Sequence, residues 1–221
     1  MDTVAIIHTV VPVLTTFGDQ LNNYLKHPVR VHNMLDDFLA SDPAEHGGFS
    51  VKNKQRLYNN IHSAQLTGAD VIVVTCSTLS PAVQQIRPFV ETPIIAVDDA
   101  MIRKAVALGS RIFVLATASS TIEPSIERLM GESKKAGKKI SMYSRHSEEA
   151  YEAMKRGDRD LHDRTVIQMA QEYIKDVDVI VLAQASMAHL EKPLSALFDC
   201  PVLSSPGFCM EEIQETLSAK A

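Results

Sequence analysis

Short aliphatic, mostly β-branched runs alternate with amphipathic stretches along the whole chain. The runs fall at residues 4–8, 29–34, 71–75 and 94–97, and again at 111–116, 138–142, 179–183 and 202–204. Between them, apolar positions recur at helical spacing over 15–26, 52–67, 81–89, 99–108, 121–135, 160–175, 190–198 and 210–218. A strand that is apolar at consecutive positions has both faces covered, and strands separated by helices pair in parallel. The pattern therefore predicts an α/β protein with two doubly wound lobes, each a sheet of about four parallel strands flanked by helices. Pro81 and Pro124 stand where a first helical turn accepts proline. Gly68 and Gly109 follow helices as C-terminal caps do. The polar stretch at 41–50, SDPAEHGGFS, reads as a loop and is the candidate flap.

The two sets of runs are related by a repeat. Asp70-Val71-Ile72-Val73 returns as Asp178-Val179-Ile180-Val181, 108 positions later. At the same offset Thr9 meets Thr117, Met34 meets Met142, Arg56 meets Arg164 and Pro93 meets Pro201, with no gap. A constant register from first strand to last points to one ancestral half-molecule, duplicated. The period is too long for a solenoid unit.

Composition narrows the class of protein. The net charge of −5 over 221 residues disfavours a nucleic-acid partner, which normally meets a basic face. An anionic small molecule remains compatible, because a site can be locally positive in an acidic protein. The run Lys134-Lys135-Ala136-Gly137-Lys138-Lys139 reads as a solvated corner. Three cysteines, Cys76, Cys200 and Cys209, are too few and too odd for a disulfide framework. With no signal-like N-terminus and no long apolar run, a cytoplasmic protein without membrane contact is expected.

In open α/β sheets, ligands bind beyond the carboxyl ends of the strands. There the first half carries His8 and Thr9, then Cys76, Ser77 and Thr78. The second carries Thr117, Ser119 and Ser120, then Gln184, Ala185 and Ser186. Hydroxyls and free backbone N–H groups beside helix N-termini suit a carboxylate. Helix capping explains single Ser and Thr residues equally well. Cys76 directly follows a buried strand, where helix and donors can lower a thiol pKa. A small buried hydrophobe is the alternative for any lone cysteine.

VIVVTCSTLS at 71–80 resembles the first catalytic-cysteine motif of the aspartate/glutamate racemase superfamily. VLATASST at 114–121 resembles its second-lobe hydroxyl loop, and VDVIVLAQASMAHL at 177–190 its second strand-end motif. The resemblance covers essentially the whole chain. It implies two pseudo-symmetric lobes, residues 1–97 with 206–221 and residues 98–205, with the active site between them. It further implies a homodimer and a small carboxylate substrate, an acidic amino acid or related dicarboxylate. Neither a cofactor nor a metal is implied. In racemases of that family two cysteines exchange the α-proton from opposite faces. Cys76 is then the catalytic thiol, with His8, Thr9, Ser77, Thr78, Thr117, Ser119, Ser120, Ala185 and Ser186 around the substrate.

The second thiol is missing. The repeat maps Cys76 onto Gln184, whose amide can hydrogen-bond a carboxylate or enolate but cannot exchange protons as a thiol does. Three chemistries stay open: proton transfer by Cys76 with a non-thiol partner, addition of Cys76 to an activated alkene as in maleate isomerase, or protonation of an enolate after decarboxylation. A binding protein without catalysis is the fourth reading. Cys200 is expected to be structural, whereas Cys209 and His189 are placed where they could border a cleft. Arg56 and Arg164 are expected to be structural, and Lys52 is the better candidate to meet an anion.

Overall fold

The computed structural model describes residues 1–220. In chain order it contains β1 (Thr3–His8), α1 (Val11–Tyr24), β2 (Arg30–Leu35), α2 (Phe38–His46), α3 (Val51–Gln65), β3 (Val71–Val74), α4 (Ser80–Ile86), β4 (Ile94–Ala96) and α5 (Asp99–Leu108). The second half follows with β5 (Arg111–Ala116), α6 (Ile122–Lys135), β6 (Ser141–His146), α7 (Glu148–Lys155), α8 (Arg159–Tyr173), β7 (Val179–Leu182), α9 (Glu191–Ser195), β8 (Val202–Ser204) and α10 (Ser205–Ser218). The strands form two four-stranded sheets, in the orders β2-β1-β3-β4 and β6-β5-β7-β8. Every pairing is parallel. The chain divides into a first unit, Met1–Asp99 with the segment from Gly207 onward, and a second unit, Ala100–Pro206.

Burial explains the consecutive apolar positions. In the first unit Ala5, Ile7, Ile72 and Val74 pack with Leu57 and Ile61 of α3 and Val83 of α4. Their neighbours Val4, Ile6, Val71 and Val73 pack on the other face with Phe17 and Leu21 of α1 and Cys209 and Ile213 of α10. In the second unit Phe113, Leu115, Ile180 and Leu182 pack with Ala150 of α7, Val166 of α8 and Leu194 of α9. All four residues of β3 and all four of β7 are fully buried. Removing one such Val, Ile or Leu side chain from water contributes about 1.5–3 kcal/mol, which ties strand and helices together.

The repeated Asp-Val-Ile-Val has a physical role. Asp70 Oδ2 accepts the backbone N–H of Thr3 at 2.9 Å. The equivalent Asp178 Oδ2 accepts the N–H of Arg111, the counterpart of Thr3, also at 2.9 Å, and that of Ser110 at 2.8 Å. Its Oδ1 meets the Arg111 guanidinium at 2.7 and 3.0 Å. Arg111 first, then the two backbone N–H groups, hold the Asp178 carboxyl well below the usual carboxylate range. In each unit the aspartate that starts one central strand thus satisfies a donor at the start of the other.

Three expectations need correction. The stretch at 41–50 is not an open loop: α2 runs through it to His46 with Pro43 inside, and Gly47 and Gly48, both at positive φ, make the turn to α3. Ser50 caps α3 by accepting the Asn53 N–H. Strand β6 lies at Ser141–His146, three residues beyond its expected start, because the turn at Gly137 (φ 63) extends the preceding loop. It is an edge strand with no buried residue, so its sequence lacks the apolar signature of a central strand. Helix α7 was not anticipated.

Gly109 is required by close approach. A Cβ there would fall 2.4 Å from Asp178 Cβ, whereas Gly68 adopts the left-handed φ of 74 typical of a helix end. Gly109→Ala is expected to destabilise the protein by about 1–3 kcal/mol, read from the midpoint of urea unfolding. An unchanged midpoint would mean that the contact with Asp178 relaxes freely.

Candidate active site

In the first unit the ladder between β1 and β3 ends where the Thr75 N–H donates to Ile7 O at 3.1 Å. Cys76 follows with extended backbone (φ −112, ψ 115) and is half-buried against the core. A single turn, Ser77–Leu79, is closed by the Leu79 N–H on Cys76 O at 3.1 Å and leads into α4. The thiol therefore stands at the carboxyl end of a fully buried strand, with half-buried Ser77 and Thr78 beside it.

His8 braces this end from inside. It is fully buried, with Nδ1 3.0 Å from Thr75 Oγ1 and Nε2 3.0 Å from Asn33 Oδ1. With an acceptor at Asn33, Nε2 carries the proton and Nδ1 is an acceptor facing the Thr75 hydroxyl, whose single proton is shared with Ile7 O at 3.2 Å. Burial pushes the imidazole pKa down, only partly opposed by the Asn33 bond, so the ring is neutral at pH 7. His8 thus links the ends of β1, β2 and β3. Thr9 is buried just beyond it.

The second unit is arranged differently. Gln184, after β7, is half-buried and also extended (φ −129, ψ 133). Its Oε1 accepts the Thr117 N–H at 2.6 Å, the Thr117 hydroxyl at 3.0 Å and the Ala118 N–H at 3.0 Å. Three donors on one atom identify that atom as oxygen. Of the other expected residues, Thr117 is buried, Ala185 half-buried, and Ser119, Ser120 and Ser186 exposed. The structure therefore gathers Gln184 and Thr117 into one cluster and leaves three of the serines in solvent.

Cys209 does not border a cleft. It is fully buried in the core of the first unit under α1 and α10, and burial raises its thiol pKa well above the ordinary value. Cys200 packs against the second core and is also raised, first by burial. Arg56 pairs with buried Asp36 at 2.6 Å, and Asn60 meets the same carboxylate oxygen at 2.6 Å. Both Arg56 and Lys52 lie over the Phe38 ring, at 5.1 and 4.7 Å. Arg164 does not repeat the ion pair of Arg56: its Nε donates to Asp160 O at 3.3 Å.

One cluster went unread in the sequence. Asp163 Oδ1 lies 2.6 Å from His162 Nδ1 and 2.7 Å from His189 Nε2. These three ligand atoms lie within 4.8 Å of one another, a grouping that could hold a metal ion. Their hydrogen bonds already satisfy one another. An ion on His162 Nδ1 would place the ring proton on Nε2, a buried atom without a partner, at a cost. Burial raises the Asp163 pKa, but bonds from His189 and His162 outweigh it, and the carboxyl lies below its usual value. Asp163 sits near the start of α8, and only its meeting with the strand-end segment in space shows the cluster.

The neutral, buried His8 gives a testable pH dependence. Its folded pKa is below the unfolded value, so its contribution to stability is complete above about pH 6.5 and is lost as pH falls toward the folded value. Urea unfolding at pH 7.5 and 5.0 is expected to show this loss, with a His8 share of at most about 1.4 kcal/mol per pH unit. That share should vanish in His8→Gln. The same slope in the variant would exclude His8 as its source.

Among the described residues, no helix is long and apolar enough to cross a membrane. No curated protein sequence matches the chain. The structure is similar to the aspartate racemase of Picrophilus torridus, with a TM-score of 0.72 and 18% identity over 99% of this chain and 95% of that one. It is likewise similar to the glutamate racemase isoform RacE1 from Bacillus anthracis, with a TM-score of 0.73 and 17% identity over 100% and 83% of the two chains. Allantoin racemase from Klebsiella pneumoniae gives a TM-score of 0.68 and 15% identity over 100% and 89%. At these identities the likeness speaks for the fold. Residues 42–212 match the model of the Asp/Glu/Hydantoin racemase family, and the chain belongs to that family.

Proposed function

We propose that the protein is a cofactor-independent isomerase that moves a proton at the carbon next to a carboxylate, with Cys76 as its acid–base group. The observation that carries this reading is the placement of Cys76: half-buried, at the carboxyl end of β3, within the residues that match the racemase family model. A thiolate there takes the α-proton and leaves an enolate. Isomerisation is completed when a non-thiol donor such as water protonates the opposite face of the enolate, and hydrogen-bond donors stabilise the charge between the two steps. The hydroxyls of Ser77 and Thr78 are the first candidates for holding the carboxylate.

Gln184 shapes the chemistry at the equivalent strand end. Its oxygen is committed to Thr117 and Ala118, and an amide supplies neither a base nor a thiol proton. That favours reactions that need one thiol. Proton transfer by Cys76 with a non-thiol partner on the other face of the carbon is one. Addition of Cys76 to an activated alkene is the second reading: a C–S bond forms as the π bond breaks, the remaining single bond rotates, and expulsion of the thiolate restores the alkene.

Proton NMR in D₂O separates these. Both enantiomers of Asp, Glu and neutral amino acids, hydantoins, maleate and an arylmalonate are incubated with the protein and with Cys76→Ala. Loss of an α-proton signal is expected, slowed about 10²–10⁴-fold by the substitution. Conversion of maleate would favour the second reading. Exchange that Cys76→Ala leaves untouched would overturn both, and ligand binding without any turnover would make this a binding protein.

A further inference from the structure

The three bonds at Gln184 describe a site as well as a side chain. Two consecutive backbone N–H groups and one hydroxyl converge on a single oxygen at 2.6–3.0 Å. Such convergence stabilises oxyanions, where donors lie about 2.7–3.1 Å from the charged oxygen. Thr117, which supplies two of the donors, is buried. The occupant here is a neutral amide oxygen from the chain itself. A carboxylate oxygen makes stronger, charge-assisted bonds with the same donors.

We propose that Thr117 and Ala118 form a carboxylate-oxygen subsite held shut by Gln184. The side chain acts as a resident plug, and an anion enters only by displacing it. The first unit differs at the equivalent place. Among the described residues Cys76 makes no hydrogen bond to Thr9 or Val10, the counterparts of Thr117 and Ala118. One half of the repeat therefore carries a thiol where the other carries a plug. In the wild-type protein this strand end of the second unit stays closed to a carboxylate until Gln184 is displaced.

Two variants test the plug without reading turnover. Gln184→Ala removes it, and isothermal titration with malonate is expected to give binding at least about tenfold tighter than in the wild type. Gln184→Glu places a carboxylate in the nest at nearly constant shape. Its melting temperature at pH 7 is expected to exceed that of the wild type by about 2–4 °C. The donors would hold the new carboxyl below its unfolded pKa of about 4.3. The gain is therefore present above that pH and disappears as pH falls through the lower folded value. A Gln184→Glu protein less stable than wild type at pH 7, or malonate bound no more tightly by Gln184→Ala, overturns the proposal. If Gln184→Ala does not fold, the pH dependence of Gln184→Glu decides alone. Neither malonate binding nor the pH dependence of melting depends on turnover by Cys76, so failure of the proposed chemistry and failure of the plug are distinguishable.

Discussion

Everything in this fold follows from burying β3 and β7 on both faces. Each is four aliphatic residues without exposed surface. Such a strand must have helices above and below, and its backbone groups must be paired by parallel neighbours on either side. Polar groups can then emerge only at the strand ends. At the amino ends, Asp70 and Asp178 accept the first N–H groups of the adjoining strands. At the carboxyl ends stand Cys76 and Gln184. Candidate chemistry is concentrated there because β3 and β7 themselves have no exposed surface to offer it.

The duplication gives the two ends one backbone plan, and single residues make them different. Cys76 and Gln184 have nearly the same extended conformation, and each leads into a short 3₁₀ segment, Ser77–Leu79 after the first and the longer Ala185–Leu190 after the second. Around Cys76, the buried pair His8 and Thr75 ties neighbouring strands together and leaves the thiol half-exposed. Around Gln184, the longer side chain folds back onto Thr117 and Ala118 and satisfies them. The protein keeps the scaffold of the racemase family while carrying a thiol at only one of the two equivalent positions.

Most of the scaffold was legible in the sequence because fully buried strands announce themselves: β5 and β8 lie at the bounds that the apolar runs suggest. Half-exposed elements were harder. The edge strand β6 has no buried residue, and its start was displaced into the lysine-rich turn. Pro43 and the Gly47-Gly48 pair disguised α2 as a loop, although its proline is accommodated and only the glycines form the turn. The missing second thiol was plain from the repeat, but what Gln184 does was not. Its bonds depend on a loop 67 residues away in the chain, and a sequence pattern carries no such distance. The clustering of His162, Asp163 and His189 was hidden for the same reason.

The most direct test of the central claim, that Cys76 is the reactive group, is alkylation by iodoacetamide followed by mass spectrometry and α-proton exchange on the same sample. The account predicts that Cys76 is modified first while buried Cys209 stays protected, and that exchange falls in step with Cys76 labelling. Full alkylation of Cys76 with undiminished exchange would contradict it.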